Sequence, residues 1–275
     1  MYEFQFDGYN KEQCDKYLKR IGADFNGKAD LANLDMLVSQ HQKTVPFENL
    51  AVCMNLGTVD LDPDALFQKI VLEHRGGFCF ELNGAFLLLL KGLGYDVVGC
   101  MARVGVPFIE ELLYLDHRAV IARLEGKTYL CDVGMGGPKA DWAVEFSMDR
   151  LKEGEEPVRS SRHGQTYWVE DTYEGWKMLK NEGSDSDGSC IIFAPVPMLP
   201  KDFEANCQYL VSRGNTLFHE VRMVNVCLDD GYIDLKNNTL KIAHGDHVEI
   251  RDFPEEEFSD ILKEYFGIIK NSSLR

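Results

Sequence analysis

The sequence predicts an α+β fold, with helices and strands in separate stretches of the chain. Three observations carry this. Apolar residues recur at helical spacing between Lys11 and Gly92. From Tyr95 the chain shifts to short runs rich in β-branched and aromatic residues, divided by Gly and Asn turns. One amphipathic stretch, Pro254 to Phe266, closes the chain. Segregated elements argue against alternating βαβ units, and no internal repeat is found. The 275 residues leave room for one large domain or two to three small ones, with candidate boundaries near Gly92 to Gly94 and within Pro195 to Lys201.

Taken in order, Lys11 to Ile21 reads as a helix with Gly22 at the C-cap position. Asp30 to Gln42 repeats the pattern, with Leu31, Leu34, Leu37 and Val38 on one stripe; Pro46 and a Phe47-Glu48-Asn49 turn end it. Asp62 to Leu72 has an N-cap residue followed by Pro63 at the first helical position. Arg75-Gly76-Gly77 breaks the chain, and Phe80 to Lys91 runs as a strongly apolar helix until Gly92 or Gly94 stops it. Val97 to Val104 favours a strand. His117 to Leu124 and Thr128 to Val133 form a hairpin about Glu125-Gly126-Lys127. Trp168 and Trp176 to Leu179 suggest further strands, and Gly183 to Ser189 is a loop by composition. Gly231 to Leu235 and Thr239 to Ile242 pair about Asn237-Asn238, and in the closing helix Glu255 to Glu257 place negative charge at its positive end.

Composition narrows the function. Hydrophobic residues make up 45% and charged residues 27% of the chain, an ordinary globular balance. A net charge of -16 repels nucleic-acid phosphates and anionic membranes, and no basic stripe with interleaved aromatics offsets it. The first ten residues lack the basic start and apolar run of a signal peptide. The longest apolar stretch, Ala85 to Leu90, is far short of the roughly 20 residues that span a bilayer. The protein is therefore expected in the cytoplasm. The 8 cysteines include no C-x-x-C pair and are expected to be mostly buried apolar fillers.

Cys79 stands apart from the other cysteines. It lies in Arg75-Gly76-Gly77-Phe78-Cys79-Phe80-Glu81-Leu82-Asn83. The two glycines permit a sharp turn and close approach of a ligand. A helix starting at or just after Cys79 would favour a thiolate and supply oxyanion donors. The alternative is a filler at the start of a core helix. Arg75, Glu81 and Asn83 read mainly as capping and salt-bridging groups that fix the loop. A nucleophilic cysteine needs a base, and the base an orienter. Among the 7 histidines, His74 is near in sequence, but its loop points it elsewhere; His117 opens a hairpin strand. With Glu125-Gly126 as the turn, His117 and Asp132 become diagonal neighbours about 7 Å apart. With Gly126-Lys127 as the turn they lie about 13 Å apart. Asp132 itself reads either as this orienter or as an acceptor of backbone N–H groups from Gly134-Met135-Gly136-Gly137-Pro138. His244 and His247 lack partners at metal-ligand spacing and read as a surface loop, so no metal is expected.

These segments together resemble the arylamine N-acetyltransferase family. Arg75 to Asn83 matches its nucleophile motif, and Tyr17-Leu18-Lys19-Arg20-Ile21-Gly22 resembles its N-terminal helix signature. Pro46-Phe47-Glu48-Asn49-Leu50 is similar to its turn before the nucleophile, and Asp132-Val133-Gly134-Met135-Gly136 to its aspartate motif. Asp202-Phe203-Glu204 followed by Tyr209-Leu210 resembles the start of its third domain. The matches span almost the whole chain. The resemblance implies an N-terminal helical bundle (1–92), a central β-barrel (93–197) and a C-terminal α/β lid (198–275). It implies a Cys79–His117–Asp132 triad and a ping-pong reaction between acetyl-CoA and an arylamine, hydrazine or N-hydroxyarylamine. By motif position Phe47, Val104 and Met135 would line the acceptor pocket; Gly134, Gly136, Asn215 and Thr216 would lie near CoA. Three departures stand out: Met135 where many members carry an aromatic residue, Ser212-Arg213-Gly214-Asn215-Thr216 in place of a hydroxyl-rich segment, and Arg118-Ala119-Val120 where the pattern is more apolar. The same triad would equally serve another acyl donor, as in malonyl transfer or amide synthesis. A thiol hydrolase and a non-catalytic binding module are the remaining alternatives. Oligomeric state is not legible.

Overall fold

The computed structural model describes residues 6–54, 59–105, 114–136, 139–172, 175–183, 190–214 and 216–269. Helix α1 (Lys11–Ile21) begins with a capping box between Asn10 and Gln13 and ends at Gly22 with φ 66°. Helix α2 (Leu31–Thr44) is capped by the Asp30 side chain. Strand β1 (Phe47–Glu48) and the short α3 (Leu50–Cys53) follow. Helix α4 (Pro63–Phe67) starts at the Asp62 cap with proline in its first turn and runs into a π-helical turn, Gln68–Leu72. Helix α5 (Cys79–Gly92) has every residue from Cys79 to Leu90 buried. Its all-round apolar surface is the mark of a central helix. The expected Phe47-Glu48-Asn49 turn is corrected: Phe47 and Glu48 pair antiparallel with Asn225 and Val224. The Asn49 side chain accepts from Met223 N (2.8 Å) and donates to the Phe218 and Val221 carbonyls. A dipeptide strand has no periodicity of its own, and its partner is about 180 residues away.

The central sheet contains β2 (Asp96–Gly105), β3 (His117–Leu124), β4 (Lys127–Cys131), β5 (Val144–Phe146), β6 (Ser160–Arg162), β7 (Gln165–Asp171), β8 (Lys177–Gly183) and β9 (Cys190–Phe193). Its order is β5-β4-β3-β2-β9-β8-β7-β6. The sheet curls until β5 approaches β7, where the Trp142 and Tyr167 rings meet edge to face at 5.4 Å, leaving a nearly closed barrel. Both faces of β2 and β3 are covered. Val98, Cys100, Ala102, Ala119 and Ile121 fill the barrel interior, while Val97, Met101, Val120 and Ala122 pack on the helices. This explains why these strands read as continuous apolar runs without alternation.

The last segment carries α6 (Glu204–Ser212), α7 (Leu217–Glu220), β10 (Met223–Cys227), β11 (Gly231–Lys236), β12 (Thr239–His244), β13 (His247–Asp252) and α8 (Phe258–Phe266). Its sheet runs β1-β10-β11-β12-β13, and Phe258, Ile261, Leu262 and Phe266 of α8 seal one core with Val224, Leu235 and Leu240. The β11–β12 turn falls at Asn237-Asn238 as expected, with Asn237 at φ 53°. Helix α8 starts later than expected because Glu255–Glu257 forms a 3-10 turn. His244 and His247 are corrected from a loop to facing ends of the β12–β13 hairpin. Residues 184–189 of the expected loop lie outside the described residues.

Candidate active site

Cys79 opens α5 and is 6% exposed. The loop before it is held by two ion pairs, one of them buried at both partners. Arg75 donates Nη2 and Nε to Glu48 Oε1 at 2.6 and 3.1 Å, while Glu48 Oε2 accepts from Leu50 N at 2.9 Å. Burial by itself would raise the Glu48 carboxyl, but Lys69, Arg75 and these hydrogen bonds outweigh it and hold the pKa below the ordinary value. Glu81 accepts from Phe78 N (3.2 Å) and Lys69 Nζ (2.7 Å); here burial wins and its carboxyl is raised. Gly76 and Gly77 are not at positive φ, so the expected sharp turn is not why they are glycine. A Cβ on Gly76 would lie 2.0 Å from Pro46 O, and one on Gly77 would lie 2.9 Å from the Glu81 side chain. Close packing of the loop on β1 and on the helix start requires them.

The β3–β4 pairing sets Leu124 opposite Lys127 and Val120 opposite Cys131, so Glu125-Gly126 is the turn. That register makes His117 and Asp132 diagonal neighbours, and His117 Nε2 meets Asp132 Oδ2 at 2.5 Å. Asp132 Oδ1 also accepts from Gly134 N at 2.8 Å, so both sequence readings of this carboxylate hold together. The remaining donor was missed. Asn83, one helical turn after Cys79, donates Nδ2 to Asp132 Oδ1 (2.9 Å) and to Arg118 O (2.5 Å) and accepts from Val133 N (2.9 Å). Its reading as a loop-fixing group is corrected: it ties the nucleophile helix to the carboxylate. The i, i+4 offset from Cys79 was the only available signal. Gln42 Nε2 holds the Asp132 carbonyl at 2.9 Å.

With Nε2 occupied by Asp132, the other ring nitrogen of His117 is left free, and Cys79 lies near enough to the imidazole to raise its pKa. Burial by itself would lower the imidazole pKa; Asp132 and Cys79 outweigh it and hold it well above the ordinary value. The Cys79 thiol also lies 3.4 Å from Asp116 O. His74 is exposed, on the turn before Arg75. An imidazole held by a buried carboxylate beside a thiol at a helix start can take and return a proton while sulfur attacks a carbonyl.

The other expected site residues are distributed around this centre. Gly134 packs so closely on α5 that a Cβ would lie 2.7 Å from the Cys79 Cα and from Asn83 Nδ2. A Cβ on Gly136 would lie 2.9 Å from the Phe47 ring. Phe47 and Met135 are half-buried, Met135 against the barrel interior. Val104 is half-buried on β2, its N–H donating to Asp116 Oδ1 at 3.1 Å. Thr216 precedes α7, with Oγ1 2.9 Å from His219 Nδ1. Asn215 lies outside the described residues. A cavity inside the barrel, bounded by Leu130, Lys139, Ala140 and Trp142, ends on Asp132. Among the described residues no helix is long and apolar enough to cross a membrane.

A family model described as N-acetyltransferase matches residues 30–273, and an arylamine N-acetyltransferase of Mycolicibacterium smegmatis is 29% identical over 92% of this chain and 90% of its own. The chain belongs to the arylamine N-acetyltransferase family. Solved structures of arylamine N-acetyltransferases share the fold. That from Salmonella typhimurium superposes with a TM-score of 0.85 at 22% identity, covering 96% of this chain and 94% of its own. That from Mycobacterium marinum, solved in complex with CoA, gives 0.79 at 25% identity, covering 93% and 92%. The arylamine N-acetyltransferase fold of helices and a nearly closed barrel thus accommodates this sequence along almost its whole length.

Proposed function

We propose that this chain carries an acetyl group from acetyl-CoA to an arylamine, hydrazine or N-hydroxyarylamine by way of Cys79, acting in the cytoplasm. The observation that carries the reading is the buried His117–Asp132 contact of 2.5 Å beside Cys79 at a helix start, where both neighbours favour the charged imidazole. In the first half-reaction Cys79 sulfur attacks the thioester carbonyl, CoA leaves as its thiol, and the proton is managed by His117. In the second, the amine attacks the acetyl-cysteine carbonyl, His117 takes the amine proton, and the Cys79 thiolate departs. Asp132 keeps the imidazole oriented and balances its charge. The N–H groups at the start of α5 face the developing oxyanion. Phe47, Val104 and Met135 line the acceptor side; Gly134, Gly136 and Thr216 border CoA. The chain divides on this reading into a bundle (1–92), a barrel (93–197) and a lid (198–275). CoA in the related M. marinum structure supports this class of donor.

Intact-mass measurement after incubation with acetyl-CoA tests the reading. One added acetyl group on the Cys79 peptide, discharged by an arylamine, is expected. A folded protein that gains no acyl group from acetyl-, propionyl- or malonyl-CoA would exclude acyl transfer from these donors.

A further inference from the structure

Arg118 follows His117 on β3 and turns to the opposite face, under α5. It is 2% exposed. Its Nη1 makes one long contact to Phe80 O at 3.5 Å, and its guanidinium carbon stands 4.1 Å from the centroid of the Phe203 ring. Its Nε has no hydrogen-bond partner, and no carboxylate pairs with it among the described residues. Room for it exists because α5 has Gly84 at this point: a Cβ there would lie 2.8 Å from Nη1. A glycine inside a helix and a lone buried guanidinium are both unfavourable.

The neighbouring buried charges occur in pairs: Glu48 with Arg75, Glu81 with Lys69, Asp132 with His117. The sum over Cys79, His117, Asp132 and Arg118 is zero whether the proton sits on Cys79 or on His117, but only the thiolate form puts a negative charge on the helix against which Arg118 is lodged, where it favours the charged guanidinium. We propose that Arg118 is a positioning residue acting through Cys79: its charge, lodged against Phe80 and Gly84 of the nucleophile's own helix, stabilises the Cys79 thiolate. This rests on the reading of Cys79 as the nucleophile.

The other titratable groups around Arg118 and Cys79 do not supply that negative charge. Cys207 of α6, Cys100 of β2 and Tyr9 before α1 are all raised by burial and neutral at physiological pH. Glu81 is committed to Lys69. Asp116, ahead of β3, is raised by burial and takes the Val104 N–H. Arg118 itself is lowered by burial only to about 10, so it stays cationic.

The test uses the full chain and the variants Arg118→Met, Arg118→Lys and Gly84→Ala. The rate of Cys79 alkylation by iodoacetamide is followed from about pH 5 to pH 10, located by peptide mass, with circular dichroism to confirm folding. Arg118→Met should move the midpoint upward by about one pH unit or more. Arg118→Lys should stay near the parent. Gly84→Ala should move the midpoint in the same direction, because it displaces the guanidinium without deleting it, and it decides the matter should Arg118→Met not fold. A folded Arg118→Met with the parent's midpoint overturns the proposal, and so does an Arg118→Lys shifted as far as the methionine variant. If parent Cys79 shows no reactivity below the ordinary thiol range, the nucleophile reading fails and this inference falls with it.

Discussion

Truncating Asn83 to alanine separates two roles of one side chain. Asn83 is fully buried at 0% exposure and makes three hydrogen bonds, to Asp132 Oδ1, Arg118 O and Val133 N. Removing it strands the Arg118 carbonyl and the Val133 N–H, each at about 1–3 kcal/mol. The sum, roughly 2–6 kcal/mol, lowers the melting temperature by about 2–4 °C for every kcal/mol in a chain of this size. Asp132 loses one of its three donors. A hydrogen bond to a charged group contributes about 1.5–3 kcal/mol, so acetyl-cysteine formation should slow by about 10- to 100-fold. Rapid-quench mass measurement gives the acylation rate, and a thermal melt gives the stability. A variant that melts lower yet acylates at the parent rate would show that Asp132 needs no support from α5.

Three further outcomes follow from the geometry. Asp132→Asn keeps shape but removes the charge opposite His117; by the scale of the same change in a serine-protease triad, acylation should fall roughly 10³–10⁴-fold with the fold retained. A drop under tenfold would remove Asp132 from the mechanism. Gly134→Ala places a Cβ 2.7 Å from the Cys79 Cα, so activity and melting temperature should fall together; a normal melt with normal activity would refute the close approach. His41 is buried beside Tyr17, with Nε2 2.8 Å from the hydroxyl, and burial, aided by Arg20, lowers its pKa to about 3. The unfolded chain binds a proton that the folded chain refuses between about pH 3 and 6.5, so this contribution is intact above the unfolded pKa and is lost as pH falls, at about 1.4 kcal/mol per pH unit. Urea unfolding at about pH 7 and pH 5 should therefore differ by about 2 kcal/mol more in the parent than in His41→Gln; equal differences would refute it.

Much of the helical half was legible because its signals are local. Asn10, Asp30 and Asp62 cap helices whose apolar stripes repeat within one or two turns, and Gly22 ends the first. The β3–β4 hairpin and the β11–β12 hairpin were equally legible, since a two-residue turn joins sequence neighbours. Strands β5, β6, β9 and β10 were not: they run for only 3 to 5 residues, too short to show a periodicity of their own. Strand β13 was not read either, although Val248 and Ile250 alternate there with polar residues; both lie exposed. Helix α6 buries only Cys207, which leaves no stripe.

The same division runs through the site. Cys79 after two glycines, His117 at a strand start and Asp132 before a glycine turn were visible as residue types that chemistry needs, because motif and spacing are properties of the chain itself. The choice between two hairpin registers, the contact of Asn83 with Asp132, the pairing of Arg75 with Glu48 rather than Glu81, and the burial of Arg118 against Gly84 were decided only when distant segments packed. Local sequence specifies which groups are available and how each short segment bends. Which of them meet, and which charge is left to be balanced in a dry interior, depends on long-range packing that no short window of sequence contains.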